Sequence, residues 1–242
     1  MAVSVLRLDG SREVFEHAAA WCLSDDPLKR ARAAAILCQL RRAPVTPGEK
    51  PDKPEWMFRD ESYSLVTKML ENEQDPLVLD SAICALGHLY NSSAVPLILR
   101  YQDHPNESVR FAVTFALGCF PNDPESVCGL LRLTSDADDD VRDWAVFGLG
   151  VQGDADSPEI REALLRCLGD VNEDVSEEAA VGLGKRQDQR LLPTLRIMLD
   201  GPKLQVRVAE AAAAFLGLDQ KPPDWTAADY KAALKSKFQL SD

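Results

Sequence analysis

The chain has 242 residues, of which 45% are apolar and 27% charged, a composition that fits a folded core and not a disordered chain. A formal net charge of −12 sets it against nucleic acid, because phosphate binding depends on neutralising lysines and arginines and no dense cluster of them occurs. No run approaches the roughly 20 apolar residues that a membrane-crossing helix needs, so no membrane role is expected.

The opening MAVSVLRLDGSREVFEH lacks a positively charged start followed by an unbroken apolar stretch, and does not read as a signal peptide. Cys22, Cys38, Cys84, Cys119, Cys128 and Cys167 are scattered without a CxxC pair, the usage of reduced thiols, so the expected compartment is the cytoplasm. An acidic surface suits a basic protein partner, or solubility alone.

A first amphipathic copy, DPLKRARAAAILCQL, begins near Asp26. RRAPVTPGEKPDKPEW follows at residues 41–56, where four prolines and several charges predict an exposed loop, read as an insertion between repeats. Four segments then align without gaps: VLDSAICALG from Val78, VRFAVTFALG from Val109, VRDWAVFGLG from Val141 and VSEEAAVGLG from Val175. Their closing glycines, Gly87, Gly118, Gly150 and Gly184, are 31, 32 and 34 residues apart. A fifth copy, VRVAEAAAAFLG, starts at Val206 with Phe215 in the glycine slot. In each copy the valine, the small residue four later and the Ala/Gly-Leu pair share one helical face, and a second amphipathic stretch precedes it.

The pattern predicts an all-α fold, an α-solenoid of about six antiparallel helix pairs, with repeats over 11–42, 59–90, 93–119, 123–150, 157–184 and 188–218. The whole of 1–242 reads as a single domain of such repeats. PPDW ends the rhythm, and Asp224 or Thr226 is placed to cap a last helix over 225–238.

An Asp-rich turn followed by V-R-x-x-A-x-x-A/G-L-G resembles the HEAT repeat, especially the short type of phycobilisome-lyase-like proteins, over residues ~11–218. The resemblance implies a solenoid and leaves function open, since relatives include scaffolds, adaptors, chromophore lyases and a di-iron hydroxylase.

SDADDDVRDWAVFGLG, at 135–150, places Asp136, Asp138 and Asp140 like the first three ligands of a calcium loop. Such a loop needs glycine at its sixth place and glutamate at its twelfth, where this chain has Val141 and Phe147. The acids are therefore expected to cap helices. Asp136 with Arg142 is the expected rung of the aspartate–arginine ladder that the resemblance implies.

Second helices usually line the concave side of a solenoid, where partners bind. Positions two, three and six after the valine place Phe111, Phe115, Trp144 and Phe147 there, rimmed by Asp80, Asp143, Glu177 and Glu178. These aromatics read either as filling of a tightly curved core or as an anchor for a basic, partly apolar protein or peptide. Asp80, Cys84 and His88 also stack along one face with Cys119 in the next repeat, but no motif-like spacing makes them a metal site, and no metal or cofactor is expected.

Catalytic relatives offer a check. The di-iron deoxyhypusine hydroxylase resembles this repeat with His-Glu pairs at positions two and three, where this chain has Asp80-Ser81, Phe111-Ala112, Asp143-Trp144 and Glu177-Glu178. Asp143-Trp144 resembles the groove of HEAT-like DNA glycosylases, a role the net charge opposes. GLGVQGD follows a helix instead of a strand and reads as a helix end, not a dinucleotide loop. The expectation is a non-enzymatic scaffold or adaptor that binds a protein or peptide. The alternatives are an acidic, immunity-like inhibitor of a basic partner and a chromophore-lyase subunit.

Overall fold

The computed structural model describes residues 10–41 and 55–239. Among these residues the fold is helical throughout, apart from one isolated antiparallel bridge between Arg41 and Trp56. The Arg41 guanidinium lies 4.6 Å from the centre of the Trp56 ring. The body of the proline-rich loop lies outside the described residues. Backbone contacts divide the chain into two compact units, Met1–Phe120 and Pro121–Asp242.

The first unit contains α1 (Arg12–Trp21), α2 (Pro27–Leu37), α3 (Arg59–Leu70), α4 (Pro76–Leu89), α5 (Val95–Leu99) and α6 (Glu107–Gly118). Asp26, Asp75 and Asn106 start α2, α4 and α6 by accepting backbone N–H groups of the first turn. Pro27 and Pro76 follow two of these caps, where a missing N–H costs nothing. Helices α2, α4 and α6 lie side by side. A Cβ on Gly87 would come within 2.9 Å of the Ala116 Cα, so α4 and α6 meet there almost backbone to backbone.

The second unit contains α7 (Pro124–Leu133), α8 (Asp139–Phe147), α9 (Pro158–Cys167), α10 (Glu173–Lys185), α11 (Leu192–Met198), α12 (Val206–Leu216) and α13 (Ala227–Phe238). Here α8, α10 and α12 form the corresponding layer. Gly150 and Gly182 close the gap between its first two members, and a Cβ on Gly182 would stand 2.7 Å from the Gly150 Cα. Phe215 occupies the fifth glycine slot because its neighbour is α13 instead of another repeat. Its ring stacks on Phe238 at 4.9 Å beside the buried Tyr230 and Leu234. Thr226, one of the two expected caps, starts α13 in a reciprocal box with Asp229.

The aspartate-rich turn before α8 divides its labour. Asp136 Oδ1 accepts the Asp138 N–H at 2.9 Å, and Asp138 Oδ1 accepts the Val141 N–H as the helix cap. Arg142 does not pair with the Asp136 carboxylate. Its guanidinium forks onto Asp170, the turn acid of the following repeat, at 2.8 and 2.9 Å, and takes from Asp136 only the backbone carbonyl. Arg30 repeats the arrangement with Glu73 at 2.7 and 3.1 Å. The ladder thus runs from the start of one second helix forward to the next turn, because an arginine one residue past the valine points along the stack.

The glycines after α8 also depart from a simple helix end. Gly148–Gln152 forms a π-helical turn, closed by the Gly153 N–H on the Gly148 carbonyl at 2.9 Å. Arg186, from the end of α10, donates to the carbonyls of Leu149, Gly150, Ala155 and Gly182, and Lys185 donates to Val151 at 2.7 Å. Carbonyls freed by the irregular turn are thereby satisfied from the next repeat.

Candidate functional site

In the first unit, α4 and α6 present Asp80, Phe111 and Phe115, all half-buried. The His88 ring meets Phe115 edge-on at 5.1 Å. Burial raises the Asp80 carboxyl above its usual range and pushes the Cys84 thiol up strongly, helped by the nearby Asp80, Cys38 and Cys119. Burial likewise lifts Cys119 to about 11. Thiols held this way stay protonated at neutral pH and make poor metal ligands. Among the described residues, no group of three or more His, Cys, Asp and Glu side chains is arranged to hold a metal ion.

The second unit carries five of the expected residues on α8 and α10. Trp144 and Phe147, one helical turn apart on α8, meet edge-on at 5.8 Å. Asp143 precedes them, and Glu177 and Glu178 face the same layer from α10. Glu177 is half-buried, and its carboxyl is raised by burial and by the neighbouring Asp174 and Glu173. Glu178, expected on the rim, is buried at 7% exposure, since α10 is flanked on both sides.

Arg207, which position-by-position reading left out of the site, organises it. Its Nε forms an ion pair with Glu178 Oε1 at 2.7 Å, its Nη1 donates to Glu210 Oε2 at 2.8 Å, and its guanidinium carbon lies 5.6 Å from the centre of the Phe147 ring. Arg207 holds the slot that Arg142 holds in its own repeat, but no further repeat follows α12 within the unit to supply a turn acid. It turns back onto α10 and α8 instead. An arginine in the ladder slot ahead of PPDW was the signal in the sequence that could have shown this.

Carboxylates outnumber cations around this arginine. Burial, aided by Asp174 and Asp140, pushes Asp143 up to about 6. Burial pushes Glu178 to about 7 against the opposing pull of Arg207. The surface can therefore hold a guanidinium by charge and by an aromatic face together.

The sequence profile of HEAT repeats matches residues 63–150 and 129–215, well over half of the chain. The chain belongs to the HEAT-repeat family. Its all-α solenoid fold is shared by several solved structures. YibA from Escherichia coli is 24% identical with a TM-score of 0.73, the match covering 99% of this chain and 86% of that one. An engineered protein reaches a TM-score of 0.59 at 15% identity, over 90% and 97% of the two chains. A designed armadillo repeat protein in complex with the peptide (KR)4 reaches 0.55 at 17% identity, over 82% and 98%. At such identities the likeness speaks for the fold. No curated protein matches the sequence. No helix among the described residues of this HEAT-repeat chain is long and apolar enough to cross a membrane.

Proposed function

We propose that this chain is a non-enzymatic, cytoplasmic scaffold that holds a basic peptide or protein segment against its second-helix layer, with Asp143, Trp144, Phe147 and Glu177 as the contact surface of the second unit. One observation carries the reading: the same surface already seats a guanidinium, that of Arg207, on Phe147 between Glu178 and Glu210. A partner arginine or lysine meets the same chemistry beside Trp144. In the first unit Asp80, Phe111 and Phe115 offer a like pairing of acid and aromatic rings on α4 and α6. The net charge of −12 favours encounter with basic partners, and six free thiols agree with a reducing compartment. The (KR)4 complex of the designed armadillo protein makes an alternating Lys–Arg octapeptide the natural first probe.

The test is calorimetric titration of that octapeptide into the parent chain and into a Trp144→Ala/Phe147→Ala double variant, with circular dichroism as the folding control. Loss of two aromatic anchors is expected to weaken binding by about tenfold or more while helicity is retained. Equal affinity of parent and variant would overturn the proposal. Stable visible absorbance after co-expression with a bilin would overturn it in favour of a lyase subunit.

A further inference from the structure

The acids of the turns have donors. Asp138, Asp170 and Asp188 each accept at least one backbone N–H, and the last two also accept arginine. Asp143 Oδ1 and Glu178 Oε2 differ: both are shielded from solvent and neither accepts a hydrogen bond from the protein. Buried acceptors are almost always satisfied in folded proteins, so two in one cluster call for a physical explanation.

Their positions give one. Asp143 on α8 and Glu178 on α10 stand two and three residues after their repeat valines, on adjoining helices of one layer. Glu178 is over nine-tenths buried, and its other oxygen is occupied by Arg207. Among the charges around the pair, acids outnumber cations. Helix α8 adds Asp139 and Asp140, α10 adds Asp174 and Glu177, and α12 supplies Arg207 together with Glu210. Lys221 reaches Glu210 at 3.9 Å and leaves the balance negative.

We propose that Asp143 and Glu178 together receive a single cationic side chain of the partner, an arginine or lysine lying beside Trp144, and that protonation of the pair releases it. The proposal rests on the scaffold reading above and assigns that site its anchor and its control. A positive group donating to both oxygens satisfies the two acceptors and offsets the excess negative charge. It also favours the ionised form of both acids, so binding near neutral pH expels protons. Burial places Asp143 at about 6 and Glu178 at about 7, where that exchange takes place between mildly acidic and neutral conditions. Lysine and arginine in the partner keep their charge across this range, so the pH dependence belongs to the chain.

The experiment titrates the Lys–Arg octapeptide into the full chain at pH 8 and pH 5.5, and at pH 6.5 in two buffers of different ionisation heat. Expected are an affinity about tenfold or more lower at pH 5.5, and proton release at pH 6.5 seen as a buffer-dependent enthalpy. Asp143→Asn is expected to weaken binding at pH 8 by about tenfold and to remove most of the pH dependence, whereas Glu159→Gln on α9 leaves both unchanged. Octapeptide binding that is pH-independent and indifferent to Asp143→Asn, yet lost in the Trp144/Phe147 variant, overturns the anchor and leaves the scaffold reading standing. Failure of the parent chain to bind at pH 8 overturns both.

Discussion

Asp143 and Arg186 are both charged groups withdrawn from water, and the chain treats them in opposite ways. Arg186 spends its N–H groups on four carbonyls around the π turn, with Asp156 at 3.8 Å. Burial pulls its pKa down, yet a guanidinium stays charged throughout the accessible range. Arg186→Met keeps the stem and removes the donors, and is expected to cost roughly 2–4 kcal/mol in urea unfolding, because several buried carbonyls lose their partners at once. Asp143 has no such compensation. An acid whose folded pKa is raised binds more protons in the folded than in the unfolded state, so stability falls as pH rises through that window. For Asp143 the window runs from the ordinary aspartate value up to about 6. Asp143→Asn should therefore stabilise the chain at pH 8 by on the order of 1–2 kcal/mol, after allowance for solvent screening of a half-buried group, and the gain should vanish at pH 4. Urea titrations of both proteins at the two pH values decide it.

Helices are where the sequence was most legible. The valine and the closing glycine repeat because each has one job, the valine in the core and the glycine against the next second helix. Gly182→Ala tests that job: its new methyl would meet the Gly150 backbone at 2.7 Å, which cannot swing aside as a side chain could. A loss of roughly 1–3 kcal/mol is expected, despite the better helix propensity of alanine, and thermal unfolding measures it. The ladder was legible in kind but not in register. Asp136 lies six residues before Arg142 and Asp170 lies 28 after it, and only the stacked helices show that the distant acid is the nearer one. The π turn was hidden for a similar reason, since three glycines read as a stop until Arg186 and Lys185 arrive from the following repeat. In the site, Trp144 and Phe147 could be placed by counting from Val141. The burial of Glu178 could not, because it depends on what α12 sends back.

At the scale of the molecule, charge and anchors act over different distances. A net charge of −12 would attract a basic peptide through solvent and is screened within about 10 Å at 0.1 M salt, whereas one oxygen each of Asp143 and Glu178 is withdrawn from solvent. Raising salt from about 50 to 500 mM should weaken octapeptide binding by about tenfold or more, chiefly through slower association, with dissociation changing less. Stopped-flow rates at the two salt concentrations separate these contributions, and an association rate indifferent to salt would count against long-range attraction. Phe215 bears on a different matter, that of lengthening such a chain by design. A glycine slot is an open joint, ready for another helix to slide against it. An aromatic ring in that slot, stacked under α13, makes the joint a lid. Splicing a new repeat after Leu216 would leave that ring wedged between backbones that need to touch, so a builder would have to return Phe215 to glycine and move α13, with its paired Phe238, to the new end.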